Sequence, residues 1–166
     1  MRYSFSAVAA LVIAAALLLA GCDPQRIDQL EEGVATEADV RQRFGQPEKI
    51  WDGPAGLRIL EYNRQPAGQK NYMITIAADG RMTALQQVLS PANFGRVEPG
   101  MMMEDVRRML GKPARTTTYA LKNESAWDWR YLEPPNTAMV FSVWFNPDMR
   151  VVRTGTAPDP QATENR

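Results

Sequence analysis

The stretch Gly100-Met-Met-Met-Glu-Asp-Val106-Arg-Arg-Met-Leu110-Gly111-Lys-Pro113 decides the fold, because the chain contains this motif twice. The earlier copy reads Gly33-Val-Ala-Thr-Glu-Ala-Asp-Val40-Arg-Gln-Arg-Phe44-Gly45-Gln-Pro47. From Val40 and Val106 onward the two copies keep a constant offset of 66 residues, which is too long for the unit of a solenoid. The sequence therefore predicts two tandem copies of one small module.

Each copy of the motif predicts one short helix that ends at a glycine. Val40 and Phe44 stand four residues apart and form an apolar helical face, and the second copy repeats this spacing with Val106 and Leu110. The glycine that follows suits a left-handed helix end, and the proline two residues later prevents continuation.

The two helix starts are predicted to differ. Thr36 followed three residues later by Asp39 resembles a capping box, in which the two side chains satisfy backbone N–H groups at the helix start. Met102 stands at the corresponding place in the second copy and offers no such acceptor. We expect this difference to weaken the second helix start by about 1 kcal/mol.

After each Gly-x-Pro the apolar residues take the alternating spacing of strands, and Asp79-Gly80 is a strong hairpin turn. The predicted strands cover 49–51, 57–63, 71–78 and 81–89 in the first copy and 115–119, 126–132, 138–145 and 149–154 in the second. We therefore predict an α+β fold of two tandem repeats, each with a short helix, a main helix and three or four antiparallel strands. The predicted bounds are 27–90 and 91–155, followed by a disordered tail over 156–166.

The only cysteine lies at the end of an N-terminal apolar segment. A charged start, an apolar run over residues 7–20 and small residues before Cys22 have the layout of a secretory signal. Leu19-Ala-Gly-Cys22 resembles the bacterial lipoprotein signal, which implies that residues 1–21 are removed, that Cys22 is acylated and that residues 22–26 form a lipidated tether. The alternatives are a plain secretory signal with a free thiol, or a single membrane span, for which the run is short.

The composition excludes several kinds of active site. The chain has no histidine, and acylation of its single cysteine leaves no thiol, so no histidine-dependent triad and no histidine or thiolate metal site can form. The remaining acidic candidates are Glu31-Glu32, Glu104-Asp105 and Asp128, and both pairs lie where carboxylates favour a helix start. We predict no catalytic residue, metal site, cofactor or small-molecule substrate. The formal net charge of +0 gives no sign of nucleic-acid binding.

The second copy of the motif resembles the signature of a known lipoprotein family. Gly100-Met101, Val106 and Leu110-Gly-Lys-Pro113 match the pattern Gly-Met-Thr-x-x-x-Val-x-x-x-Leu-Gly-x-Pro of the SmpA/OmlA (BamE-like) lipoproteins, and residues 127–131 resemble the aromatic strand that follows it. The resemblance implies two helices packed on a small antiparallel sheet in each module, and an accessory role in the outer-membrane β-barrel assembly machinery. Typical members carry one module, whereas a tandem pair is similar to β-lactamase inhibitory protein.

The second copy is also richer in aromatic residues, and these are the candidate partner contacts. Alternation places Trp127, Trp129 and Tyr131 on one sheet face, opposite Arg130, and places Trp144 on the second face of the next strand. Trp, Tyr and Arg are frequent at the centres of protein interfaces. Core packing is the alternative for the tryptophan stripe, and an open sheet edge is a further candidate surface. The predicted partner-binding residues are Trp127, Trp129, Arg130, Tyr131, Trp144 and Met102.

With the family resemblance, these features predict a non-enzymatic scaffold anchored through Cys22 to the periplasmic face of the outer membrane. Its predicted partners are components of the β-barrel assembly machinery and, through the lipid, the membrane. Asp23 directly after the cysteine favours retention in the inner membrane in enteric bacteria, so both membranes stay open. The alternative function is an inhibitor-like or envelope-stress lipoprotein that binds another periplasmic protein through a joined sheet.

Overall fold

The structure is a computed structural model that describes Ile27 and residues 29–164, with side chains described up to residue 162. The predicted signal 1–21, the acylation site Cys22 and the tether 22–26 lie outside these residues.

The chain divides into residues 1–31 and a compact unit from Glu32 to Arg166. The described part of the first unit is a turn, in which the amide of Leu30 donates to the carbonyl of Ile27 at 3.0 Å. Within the described part of the chain, no helix has the length and apolar character needed to cross a membrane.

The first repeat forms a helix followed by a four-stranded antiparallel sheet. Its elements are α1 (Glu37–Phe44), β1 (Lys49–Asp52), a 3-10 turn (Pro54–Gly56), β2 (Arg58–Asn63), β3 (Asn71–Ile76) and β4 (Met82–Gln87). The strands pair in chain order and form sheet 1. The predicted capping box is confirmed at the start of α1, because Thr36 accepts from the amide of Asp39 while the Asp39 carboxylate accepts from the amide of Thr36 at 2.8 Å.

The second repeat follows the same plan. Its elements are α2 (Pro91–Phe94), α3 (Met103–Leu110), β5 (Arg115–Tyr119), a 3-10 turn (Ala120–Lys122), β6 (Glu124–Glu133), β7 (Thr137–Phe145), β8 (Val151–Pro158) and the terminal helix α4 (Pro160–Glu164). Strands β5 to β8 pair in chain order and form sheet 2. As predicted, the side chain of Met102 makes no capping hydrogen bond to α3. Two four-stranded antiparallel sheets with few helices confirm the α+β class.

The opening glycine of each motif is tied to the last strand of its own repeat. The amide of Gly33 donates to the carbonyl of Met82 at 2.7 Å, and the amide of Gly100 donates to the carbonyl of Val151 at 2.8 Å. Both glycines have positive φ, 79° and 90°, a conformation that costs glycine little. The same contact therefore closes both repeats, which supports a tandem duplication.

A side chain from the second strand holds the end of the main helix in both repeats. The Tyr62 hydroxyl donates to the carbonyl of Gly45 at 3.1 Å, and Nε1 of Trp129 donates to the carbonyl of Gly111 at 3.0 Å. The two glycines have positive φ but extended ψ, −156° and −173°, so the predicted left-handed helix end is wrong in detail. This region of backbone conformation is open almost only to glycine.

Helix α3 lies between the two sheets. Val106 and Leu110 are fully buried in one apolar cluster with Trp129 of sheet 2 and Met73 of sheet 1. The face of sheet 2 that packs on α3 is its inner face, and the opposite face is its outer face. Sheet 1 is covered on both faces, because its other face packs on Phe44 of α1 through aromatic contacts.

The two sheets stay separate ladders among the described strands, so the joined sheet expected for an inhibitor-like protein does not form. A side chain from the loop after β2 binds the backbone of sheet 2. Nε2 of the Gln65 side chain donates to the carbonyl of Arg130 at 2.6 Å, and Oε1 of the same side chain accepts from the backbone amide of Arg130 at 3.1 Å. Gln65 thereby pairs with β6 just beyond Arg115, the first residue of β5, as a peptide group of a neighbouring strand would.

The disordered tail predicted for residues 156–166 is wrong in its first part. Strand β8 continues to Pro158, and the amide of Asp159 donates to the carbonyl of Ala138 at 3.0 Å. The side chain of Asp159 is buried against Arg130. Backbone pairing with β7 and one buried ion pair therefore order a segment that has little apolar content of its own.

Candidate functional site

Trp144 lies on the outer face of sheet 2, as the alternation of β7 predicts. Its neighbours across the strands are Ala126 on β6 and Arg153 on β8. The indole reaches over Gly155, where an added Cβ would lie 3.3 Å from the ring. Glycine at this position therefore lets the indole lie close to the backbone of β8, and Trp144 is half-buried without being part of the core.

A side chain from β8 covers the indole. The Arg153 guanidinium lies 4.7 Å from the ring centroid of Trp144, within the range of a cation–π contact. The same guanidinium donates to both carboxylate oxygens of Glu124 on β6, at 2.7 and 2.8 Å. Arg153 thus crosses β7 above Trp144. Its hydrogen bonds lower the pKa of Glu124, against the raising effect of burial.

Exposed apolar residues border this arrangement. Tyr119, at the end of β5, is 44% exposed, and Leu121 in the following 3-10 turn is fully exposed at 103%. Tyr119, Lys122, Glu124, Trp144 and Arg153 together line an open recess of about 220 Å³. We call the set Tyr119, Leu121, Glu124, Trp144 and Arg153 the Trp144 patch.

The predicted partner contacts on β6 are core residues. Trp129 is 0% exposed and Tyr131 is 1% exposed, and burial raises the pKa of the Tyr131 hydroxyl. Trp127 is half-buried and packs edge-to-face on Trp129 and Phe145. The prediction that Trp129 and Tyr131 contact a partner is therefore wrong in this fold, because α3 covers the inner face on which they lie.

Arg130 is already occupied by contacts within the chain. Its Nε donates to the Asp159 carboxylate at 2.6 Å, and a terminal nitrogen donates to the carbonyl of Pro66 at 2.8 Å. The Asp159 side chain is 1% exposed. Arg130 therefore joins β6, the C-terminal segment and the first repeat, and its contact with a partner stays a prediction.

Met102, the remaining candidate, lies apart from the patch. It precedes α3, pairs through its backbone with Arg150 and has a side chain that is 37% exposed. Its exposure agrees with the prediction, and nothing in its contacts within the chain adds a binding role.

A charged recess also opens on the outer face of sheet 2. Arg115 donates twice to the Asp128 carboxylate, at 2.8 and 3.0 Å, and Ser142 donates to its other oxygen at 2.6 Å. The recess has a volume of about 70 Å³, space for no more than a few water molecules. Among the described residues, no group of three acidic, histidine or cysteine side chains is placed to hold a metal ion.

Sheet 1 shows what covers a tryptophan on the corresponding face. Trp51 of β1 is 4% exposed, and the guanidinium of Arg108 from α3 lies 4.7 Å from its ring centroid. Its indole N–H donates to the buried carboxylate of Glu61 at 3.1 Å. An arginine-bearing helix of the neighbouring repeat thus packs on this face, whereas among the described residues the indole of Trp144 is covered by Arg153 of its own sheet.

Sequence reasoning missed Tyr119, Glu124 and Arg153. Their positions follow from the strand register: β6 starts at Glu124, and a bulge at Val152 brings Arg153 opposite Trp144. The sequence contained the turn Asn146-Pro147-Asp148 but no sign of the bulge. A one-residue shift would have put Arg153 on the inner face, so the register had to be known first.

No family model and no curated protein matches this chain. Two solved structures resemble it at a distance. A DUF4309 family protein (YjgB) from Bacillus subtilis is 21% identical over 82% of this chain and 86% of its own length, with a TM-score of 0.34. A candidate β-lactamase inhibitor protein from Streptococcus mutans is 9% identical over 74% of this chain and 82% of its own, also with a TM-score of 0.34. These likenesses are too distant to assign a function.

Proposed function

We propose that this protein is a non-enzymatic scaffold, anchored through an acylated Cys22, that binds another protein through the Trp144 patch. The Trp144 patch is the observation that supports the proposal. It brings a tryptophan, a tyrosine and an arginine together on a sheet face, next to the turn that carries the fully exposed Leu121. Such aromatic and arginine side chains are typical of interface hot spots. Because Arg153 and Glu124 satisfy each other, a partner can cover this pair without leaving either charge unpaired.

The partner that we propose first is a component of the outer-membrane β-barrel assembly machinery. This choice rests on the resemblance of residues 100–113 to the BamE-like signature and on the lipoprotein-type signal before Cys22. A tether of residues 22–26 reaches on the order of 15 Å when extended, so the domain would stay close to the membrane surface. We propose the periplasmic face of the outer membrane, with the inner membrane as the other location because of Asp23.

Crosslinking in intact cells followed by affinity capture and mass spectrometry tests the partner. We expect assembly components with the native chain and at least a several-fold loss with Trp144→Ala. The matched control is Val34→Ala, since Val34 is 57% exposed and lies outside the patch. Recovery of a single unrelated periplasmic protein would instead favour the inhibitor-like alternative, and equal capture by both variants would remove the patch from the proposal.

The anchor is tested separately. Cells fed a labelled fatty acid should label the native chain, and Cys22→Ala should abolish the label and release the protein from the membrane fraction. Retention of Cys22→Ala in the membrane would contradict the acylated anchor and point to an uncleaved signal.

A further inference from the structure

The outer edge of sheet 1 is closed by a side chain. At Met82 the edge of β4 is used by the segment before α1, because the Met82 amide donates to the carbonyl of Ala35 at 2.8 Å. After a bulge, Leu85 is the next residue whose backbone groups point away from the sheet. The Glu32 carboxylate accepts from the amide of Leu85 at 3.0 Å. This cap occupies the place where an incoming strand would bind.

At the start of its last strand, the outer edge of sheet 2 is likewise used by the segment before the main helix of its repeat. The amide of Val151 donates to the carbonyl of Met101 at 2.9 Å, and a bulge follows at Val152. At the other end of β8 the Asp159 amide points inward, to Ala138 of β7. Backbone groups of an antiparallel strand alternate in direction. Counted back from Asp159, the N–H and C=O groups of Thr154 and Thr156 therefore point away from sheet 2.

The second repeat lacks the cap. Glu32 directly precedes Gly33, and the residue directly before Gly100 is Pro99, which has no carboxylate. Among residues 29–164, no acceptor is found for the outward amide of Thr154. Thr154 and Thr156 are both exposed. The open stretch is bounded by Val151, whose outward groups are used, and by Pro158, which has no N–H.

We propose that this open edge of β8 binds the β8 edge of a second copy of the chain, antiparallel and with the two-fold axis at Gly155. In this register the N–H and C=O groups of Thr154 meet those of Thr156 in the second copy, and the reverse. Arg153 then faces Ala157, so no like charges are opposed. The contact ends where Pro158 of one copy lies opposite Val152 of the other. It therefore stops before Val151, whose outward backbone groups already pair with Gly100 and Met101 of the same copy.

The stretch is complementary to itself, and this is why a second copy is the occupant. Every outward backbone donor and acceptor between Val151 and Pro158, apart from the Pro158 carbonyl, finds a partner in one isologous contact. The contact is small, so we expect dissociation constants on the order of 100 µM in solution. Confinement to a membrane surface raises the effective concentration and favours the pair.

Disulfide trapping tests the register on the full-length chain in lipid vesicles. Equal amounts of Thr154→Cys and Thr156→Cys chains are mixed and mildly oxidised. In the proposed register residue 154 lies opposite residue 156 at a distance that a disulfide can bridge. We expect the mixed dimer to exceed either homodimer several-fold. Absence of any dimer, or a majority of homodimers, would overturn the proposal.

A cap transplanted from the first repeat tests the edge without changing β8. Pro99→Glu supplies the carboxylate that Glu32 supplies to β4, so it should reduce the mixed dimer several-fold. Pro99→Ala removes the proline without adding a carboxylate and should leave trapping unchanged. Equal trapping in both variants, with unfolding midpoints like the parent, would contradict the proposal. Binding of an added foreign peptide at β8 by chains that do not form dimers would overturn it as well.

Discussion

Glu61 and Asp128 occupy corresponding places in the second strand of each sheet. The backbone carbonyl of Glu61 accepts from the amide of Glu48, just before β1, and that of Asp128 accepts from the amide of Ala114, just before β5, both at 2.8 Å. Glu61 is fully buried beneath α3, whereas Asp128 faces an open recess and pairs with an exposed arginine of its own sheet. The same sheet position thus joins the repeats in one case and bonds within its own sheet in the other.

Replacing the two carboxylates by amides gives the largest expected difference between the repeats. Glu61 accepts from Nε1 of Trp51, from Arg107 and from the amide of Lys112. Glu61→Gln keeps one acceptor oxygen but removes the charge that balances Arg107 and turns an NH2 group towards a donor that Glu61 now satisfies, so it should lower the free energy of unfolding by about 3 kcal/mol. Asp128→Asn should cost only about 1 kcal/mol because Arg115 is exposed. Urea unfolding measures both, and equal losses would show that the α3 interface is not what sets them apart.

Removing the side chain that holds each main helix should give the next largest effect. Trp129→Phe removes the hydrogen bond to Gly111 and leaves space in the core, so we expect a loss of about 2 kcal/mol. Tyr62→Phe removes only the hydroxyl bonded to Gly45 and should cost about 1 kcal/mol. The measurement is again urea unfolding. A larger loss for Tyr62→Phe would mean that the first repeat depends more on this contact than the second does.

Adding a helix cap in the second repeat and removing the cap in the first should change the stability of the protein in opposite directions. Met102→Thr would introduce a side-chain acceptor at the start of α3 and should stabilise the protein by about 1 kcal/mol. Thr36→Ala removes the observed cap of α1 and should destabilise it by a similar amount. Thermal unfolding of both variants is the test, and Met102→Val is the control that changes size without adding a hydroxyl.

Acid should produce the smallest effect, through the first turn of α1. Burial raises the pKa of Glu37, but hydrogen bonds from Arg41 and Arg58 outweigh it and hold the pKa below the ordinary value of 4.5. The unfolded chain therefore binds the proton more readily, so this contribution to stability is complete above about pH 4.5 and is lost as the pH falls through the lower folded value. Unfolding midpoints at pH 7, 5 and 3 should fall less for Glu37→Gln than for the parent chain.

The fold class could be predicted because the motif repeats and because helix and strand spacings differ clearly within each copy. The place of α3 could not be predicted. Arg107 and Arg108 read as a solvent-facing side of an amphipathic helix, yet Arg107 bonds Glu61 and Arg108 stacks on Trp51 in the other repeat. Long-range packing of this kind does not alter the spacing of apolar residues in the sequence, because charged side chains occur both at interfaces and on solvated surfaces.

The candidate site was predicted only in part for a related reason. Trp144 was placed on the correct face by simple alternation. Residues 154–157 alternate threonine with glycine and alanine, so no apolar period marks the end of β8. For Trp129 and Tyr131 the sequence left two alternatives, packing in the core and contact with a partner. Their burial in the core cluster with α3 decides for the core.

The pairing of Gln65 with the backbone of Arg130 has a consequence for any attempt to study the repeats apart. A cut between residues 90 and 91 would remove from β6 a side chain that bonds it as a neighbouring strand would. It would also expose to water the face of sheet 1 that packs on α3. The two halves are similar in sequence but are not separable parts. Measurements on isolated fragments would thus describe the surfaces that the cut exposes, and not the two independent domains that the repeat suggests.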